Sequence, residues 1–406
     1  MTATDQQPRT TIPARRPRRR PRIPRQLSMI RLGDVMAVLG SLAAAAATTA
    51  LFWLELSPFS GLLGYVIATW FLFVFYYAVL VSFDADRPTQ RDRVSAVVVL
   101  SLGFLVVAAL GWILIYTGVR AWPALVHLNI YTQDGTLSGP LSPLTQSGAL
   151  HAVVGTLIEL SIAMGVSVPI GLLTAVFINE VPGPYSRFIR IVVDAMTAMP
   201  DVLAGLFIYA TLILALGWGK SGFAAGLSLA VTAMPIVCRA ADVVLRLMPG
   251  GLTEASYALG TSQWRTVWYV TLPTVRSGLA TAVILGAARA IGETAPVLLT
   301  AGETHYLTFN AKSGPMMSLP LMAYTSVLEP FPVEIARGFG AAFILLLLVV
   351  VLFVIARRIG GRGPGQLSPA QQRRRMAASR RDVERYARYA RQAQAAQAMY
   401  PGAVPE

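Results

Sequence analysis

Arg289 and Glu293 stand four residues apart inside a run, 277–300, that is otherwise largely apolar. An ionised side chain at bilayer depth costs about 3 kcal/mol even on lenient insertion scales, so such a pair is either self-neutralising or useful. The spacing puts both residues on one helix face. A guanidinium offers a planar fork of donors that suits the oxygens of a tetrahedral anion, and a carboxylate one turn away would hold that fork in place. Counted from residue 277, Arg289 lies roughly 20 Å into the segment at 1.5 Å per residue. Two readings stand side by side. One is an intrahelical ion pair that offsets its own desolvation; the other is an anion-attracting pair on a translocation path, continued by Thr294.

A second stretch, 254–273, carries a different chemistry. Glu254 through Leu259 reads as a turn and a half of helix, Gly260 allows a reversal, and Trp264 through Val270 reads as a second short helix closed by Pro273. Trp264, Val267 and Trp268 fall at i, i+3 and i+4, an aromatic-aliphatic face. Such a face suits either a partner's groove or the membrane-interface belt.

The elements that position these residues follow from composition. Of 406 residues, 55% are hydrophobic and only 13% charged, about half the charged fraction of a soluble globular protein, near 25%. Several apolar runs reach the roughly 20 residues that span a bilayer core. A soluble enzyme, a disordered chain and a secreted disulfide scaffold are excluded, the last because Cys238 is the only cysteine. The expected fold is all-α, a polytopic membrane bundle. Apolar segments lie at 35–55, 60–82, 94–117, 149–179, 199–218, 222–247, 277–300 and 338–356. Eight crossings place both termini on one side.

Charge tests that count through the positive-inside rule. With 1–34, 83–93, 181–190, 239–276 and 357–406 on the cytoplasmic side, these hold twenty-nine of the 34 Lys and Arg. The opposite loops hold four (Arg120, Lys220, Lys312 and Arg337), and Arg289 alone is left within a crossing. The net charge of +14 therefore reports orientation and not nucleic-acid binding.

Smaller features complete the organisation. The tail 1–34 is dense in Arg and Pro and is expected to be disordered. Residues 184–198 alternate polar and apolar faces and are expected along the interface, so that the fifth crossing starts at Pro200-Asp201 with Asp201 as a helix-start carboxylate. Pro169, Pro235 and Pro296 are expected to kink their helices. Residues 366–397, with Arg381, Arg385 and Arg388 at helical spacing, read as a basic helix near anionic lipid. Arg239 is expected to snorkel, and His127, His151 and His305 lack metal-ligand spacing. Gly219-Lys220-Ser221 looks like the end of a nucleotide-binding loop, but position 214 is Leu where the first glycine belongs.

Glu254-Ala255-Ser256, three residues, Gly260, nine residues, Val270, one residue and Leu272-Pro273 resembles the coupling-loop signature of ABC-transporter permeases, Glu-Ala-Ala-x3-Gly-x9-Ile-x-Leu-Pro. Arg289-Ala290-Ile291-Gly292-Glu293-Thr294 followed by Ala295-Pro296-Val297-Leu298-Leu299-Thr300-Ala301 resembles the phosphate-uptake permeases, in the A-type (PstA-like) and not the C-type ending. Asn179-Glu180, Arg187-Phe188-Ile189-Arg190 and Met316-Met317-Ser318-Leu319-Pro320 are similar too, and the resemblance covers roughly 149–357. The chain departs from it at Met199-Pro200-Asp201, where Val-Pro-Ser is usual, and at Gly250-Gly251-Leu252-Thr253, where a polar segment is common.

The resemblance implies a six-helix type I ABC-importer permease core over 94–357 in a bacterial inner membrane, preceded by two extra helices at 35–93. It implies inorganic phosphate as substrate, with another oxyanion or small solute on the same architecture as the alternative. The implied partners are a second, PstC-like permease, two ATP-binding cassette subunits and an external phosphate-binding protein. Glu254, Ala255, Gly260, Trp264, Trp268, Leu272 and Pro273 would couple to the ATPase; Arg289, Glu293 and Thr294 would line the path. No catalytic residue, cofactor or metal is expected, and ATP hydrolysis is left to the separate subunit. An ion-gradient carrier would require repeated halves with broken helices, and no convincing internal repeat is found. A membrane enzyme would require a nucleophile-base or metal cluster, and none appears.

Overall fold

A chain this poor in charge has to satisfy its backbone polar groups internally when surrounded by lipid, and helices do so. The computed structural model describes residues 32–53, 61–84, 86–139, 141–360 and 369–399, and every regular element among them is helical. Among the described residues, seven helices are long and apolar enough to cross a membrane. An eighth span arises if Pro184–Ala198 and Asp201–Ala215, bent by 101°, count as one. Seven of the eight expected crossings thus have a long helix, and the fifth, expected at 199–218, is represented by the shorter Asp201–Ala215 arm of the bent pair.

Two compact units divide the chain after Trp112. In the first, α1 (Leu32–Leu51) packs on α2 (Leu62–Ser82), and the early part of α3 (Arg87–Leu125) joins them through polar contacts. Arg93 pairs with Asp34 at 3.0 Å, Trp70 Nε1 donates to Ser101 Oγ at 2.9 Å, and Gln90 Nε2 donates to the Ala78 carbonyl at 3.0 Å. Most of the expected basic tail, 1–31, lies outside the described residues.

The second unit holds α4 (Asn129–Thr132), α5 (Leu150–Glu180), α6 (Pro184–Ala198) and α7 (Asp201–Ile208), which continues as a π-helical stretch to Ala215. Then come α8 (Gly222–Arg246), α9 (Gly250–Ala258), α10 (Gln263–Thr266) and α11 (Leu272–Ile291), the last two joined by a π-helical turn, Val267–Thr271. The unit ends with α12 (Ala295–Thr300), α13 (Leu319–Leu328), α14 (Pro332–Gly360) and α15 (Pro369–Met399). α5 and α8 form its centre. Small residues let them approach: a Cβ on Gly226 would meet the Ile162 side chain at 2.7 Å, the kind of close helix contact that drives association where no hydrophobic effect operates. One core cluster includes Leu160, Leu229, Ile291, Leu319 and Ile344, a second Ile178, Val193, Leu245 and Leu279.

Several expectations are corrected. The run 277–300 is not one crossing: α11 ends at Ile291, residues 292–294 break the helix, and α12 starts anew. Pro296 is accordingly no kink but a first-turn residue of α12, where its missing N–H costs nothing, whereas Pro169 and Pro235 do sit inside α5 and α8. α6 is tied to α8 at two levels: Arg190 pairs with Asp242 at 2.9 Å, and Arg239 with Asp194. Arg239 thus has a carboxylate partner and does not reach outward alone. Ser221 of the look-alike nucleotide loop caps α8, its Oγ accepting from the Ala224 N–H at 3.3 Å. α15 is helical, and residues 373–389 of it are exposed throughout.

Arg337, read only as a loop cation, is almost fully buried at the start of α14. It pairs with Glu334 at 2.5 Å and donates to the Ser138 hydroxyl and to the carbonyls of Ser142, Pro143 and Gln146 at 2.9–3.0 Å. One side chain therefore holds the segment that leads into α5.

Candidate functional site: a coupling loop and a three-charge centre

The loop after α8 is two helices about a glycine, with different bounds from those expected. The first begins at Gly250, and the second does not stop at Pro273 but runs on into α11, so that Gln263–Ile291 is one span. A proline inside a helix clashes with the carbonyl four residues back; here the wider π-helical ladder directly precedes it. Gly260 has φ +79, a left-handed backbone that L side chains adopt at a cost of about 1–2 kcal/mol.

The exposed face also differs. Trp264 and Trp268 are 63% and 49% exposed, their rings edge to face at 5.6 Å, but Val267 is buried at 3%. Leu259 and Tyr269 join the tryptophans at the surface instead. Glu254, Ala255 and Pro273 are exposed and Leu272 half-buried.

Beneath this surface lies a hydroxyl cluster that spacing alone did not reveal. Ser256 Oγ lies 2.6 Å from Thr261 Oγ1 and 2.9 Å from Thr266 Oγ1, and the two threonines are 3.0 Å apart. The hydroxyl of Ser256, where the resemblance has a second alanine, thus links the helices on either side of Gly260. Gln263 Nε2 donates to the Glu180 carbonyl at 2.7 Å, joining the loop to the C-terminal end of α5.

The charged centre lies further up the same helix. Gly286 would meet the Val237 side chain with any Cβ it carried, and Thr300 Oγ1 lies 3.3 Å from Ser228 Oγ. Arg289 and the break at 292–294 are therefore level with Ser228–Val237, the middle of α8. Arg289 Nε donates to Glu293 Oε1 at 2.7 Å. The pair expected from spacing is formed, but Glu293 reaches back from beyond the end of α11 and is no intrahelical partner. Thr294 lies half-buried at the head of α12, and its carbonyl accepts from the Leu298 N–H at 2.9 Å.

Sequence reasoning missed the third charge. Asp201 is the first residue of α7, as its helix-start chemistry suggests, and its carboxylate also accepts a hydrogen bond from Arg289 Nη2. The backbones around it touch closely: a Cβ on Gly205 would fall 2.6 Å from Pro296 Cα. Side-chain exposure falls from 48% at Arg289 through 31% at Asp201 to 11% at Glu293. One guanidinium thus meets two carboxylates where the end of α11 and the starts of α7 and α12 converge. His151 and His305 approach with ring centroids 6.5 Å apart, yet among the described residues no group of three or more His, Cys, Asp or Glu is placed to hold a metal ion.

Residues 167–362 match the family described as "Binding-protein-dependent transport system inner membrane component". The chain is 36% identical over 279 residues to "Phosphate transport system permease protein PstA 1" of Mycobacterium tuberculosis, covering 67% of this chain and 91% of that protein. It is 32% identical over 265 residues to "Phosphate transport system permease protein PstA" of Pasteurella multocida, covering 64% and 91%. A solved chain of the MetNI methionine ABC transporter in an inward-facing form aligns with TM-score 0.42 at 19% identity, covering 53% of this chain and 95% of that one.

Proposed function

Because the chain belongs to the PstA family of phosphate transport system permeases, we propose that it is a membrane-spanning subunit of an ATP-driven importer of inorganic phosphate. It is a multi-pass inner-membrane transport protein and not an enzyme. A same-architecture permease for another oxyanion is the less favoured reading, since the relatives carry the phosphate name. The observation that supports the phosphate reading most directly is Arg289, a nearly half-exposed guanidinium level with the middle of α8, inside the stretch matched to the transport family. Its fork of donors suits phosphate oxygens, with Glu293 fixing the side chain's direction and Thr294 beside it.

In this reading the chain forms half of the path, and a second, PstC-like permease forms the other half. Two ATP-binding cassette subunits dock on Leu259, Trp264, Trp268 and Tyr269, exposed apolar groups of the kind that fill a partner's groove. ATP binding and hydrolysis are theirs, and an external phosphate-binding protein delivers the substrate. The distribution of Lys and Arg supports cytoplasmic termini, with Ser262 on the same side. A thiol-reactive label that does not cross membranes, used on Ser262→Cys in intact cells, should fail to react; labelling from outside would reverse the orientation.

The test of function is reconstitution of the full complex with its ATPases and binding protein in vesicles. ATP-dependent uptake of labelled phosphate is expected, with ATPase activity stimulated by the phosphate-loaded binding protein. Gly260→Pro should abolish that stimulation, since proline fixes φ near −65° and the native value is +79. Stimulation that persists in the variant would remove the coupling role from this loop; uptake of another oxyanion in preference to phosphate would overturn the substrate.

A further inference from the structure

Arg289 needs only one carboxylate to be neutral, and Glu293 supplies it. The second, Asp201, adds a carboxylate that neutralising Arg289 does not require. The two carboxylates also differ in mobility relative to the arginine. Glu293 follows four residues later, in the break after α11, and is tethered to Arg289 by that short stretch, whereas Asp201 sits on α7, a separate element beyond the α6–α7 bend. Moving α7 against α11 makes or breaks the Asp201 contact. A carboxylate also presents to a guanidinium the same paired acceptor oxygens as a phosphate. The guanidinium remains nearly half exposed in this chain, so Asp201 competes for a group that an anion can reach.

We propose that Asp201 is a specificity and sealing residue for transport: its carboxylate occupies Arg289 between transport events, keeping the resting permease closed to anions until α7 and α11 separate. This rests on the phosphate-permease reading for the identity of the anion, but not for the seal itself. With Asp201 in place both carboxylates engage the guanidinium, and an entering anion meets carboxylate oxygens instead of free donors. When Asp201 withdraws, Arg289 and Glu293 remain as a neutral pair with unfilled guanidinium donors, and phosphate can take the vacated position.

The test is passive efflux from vesicles that contain the complete complex and are loaded with labelled phosphate, labelled nitrate or rubidium, without ATP or binding protein. Asp201→Asn should raise phosphate and nitrate efflux by about three- to fivefold, the scale of losing a part-exposed charge partner, and leave rubidium efflux at the wild-type level. Asp201→Ser, which keeps a helix-start side chain, should do the same, and Asp201→Glu should restore the seal. Adding Arg289→Gln to Asp201→Asn should return anion efflux towards wild type, because the attracting charge is gone. Assembled Asp201→Asn and Asp201→Ser complexes as tight to anions as wild type would overturn the proposal, as would rubidium leaking in parallel. Wild-type vesicles that take up no phosphate with ATP and binding protein, while Asp201→Asn leaks nitrate, would sink the phosphate reading and leave the seal standing.

Discussion

The Gln263 side-chain amide donates to the backbone carbonyl of Glu180 across 83 residues of sequence, so the start of α10 is fastened to the C-terminal end of α5. The bond is exposed and its net worth is about 0.5–1.5 kcal/mol, too little to decide folding. Its value lies in direction, because it makes a displacement of the loop a displacement of α5 as well. Gln263→Ala should leave complex assembly unchanged and lower phosphate taken up per ATP hydrolysed by roughly two-fold or more, a loss on the scale of that one bond. An unchanged transport-to-ATPase ratio would show that the loop reaches α5 by another route.

The hydroxyl cluster makes a graded prediction. Thr266 is buried and meets both Ser256 and Thr261. Thr266→Val leaves the Ser256–Thr261 contact at 2.6 Å but sets a methyl group against both hydroxyls in place of a hydrogen-bond partner, at a cost of about 0.5–1.5 kcal/mol for each bond lost. Ser256→Ala leaves the Thr261–Thr266 contact, adds no methyl group against it and should cost less. Hydrogen exchange of residues 250–266 should therefore quicken more in Thr266→Val than in Ser256→Ala. The reverse order would mean that Ser256 is the centre of the cluster.

Replacing Arg289 separates charge from mere packing. Arg289→Gln leaves Asp201 and Glu293 facing each other without a cation, and phosphate uptake should fall by about tenfold or more, because the charged donor fork for the anion is gone, while the complex still assembles. Arg289→Lys keeps the charge but loses the planar fork and should recover only part of the uptake. Full uptake in Arg289→Gln would remove this residue from the path.

Arg337 should behave as structure. Arg337→Met removes the charge from a buried site, leaves Glu334 unpaired and frees three backbone carbonyls. The expected loss is about 3–5 kcal/mol, the usual result of breaking a buried pair, read as a lower midpoint of thermal unfolding in detergent. Arg337→Met/Glu334→Leu should regain part of it, since no lone charge then remains.

The sequence announces what is costly and hides what is cheap. Arg289 and Glu293 stand out because charge in an apolar run has few innocent explanations, and Gly260 because reversal needs a left-handed backbone. Asp201 does not stand out, since a carboxylate at a helix start is explained locally and its partner lies 88 residues away. The break at 292–294 is nearly silent in hydropathy. Its available signal is Thr294-Ala295-Pro296, a head-of-helix residue followed by a first-turn proline. Val267 defeats simple spacing because the π-helical turn that starts with it holds more residues per turn than an α-helix, so the face counted at i, i+3 and i+4 is rotated. Ser256 is invisible by size alone; its hydroxyl matters only once Thr261 and Thr266 are folded around it.

The unbroken course from Gln263 to Ile291, 29 residues, makes the tryptophan knob and the central arginine two ends of one lever. From Trp264 to Arg289 is roughly 38 Å at 1.5 Å per residue, so a tilt of about 5° about the inner end sweeps the guanidinium through about 3 Å. That is the length of a hydrogen bond. A displacement at the Trp264 end need not be large, and no relay of side chains is required to carry it to Arg289: a rigid stick levered at its foot is enough to unhook its tip.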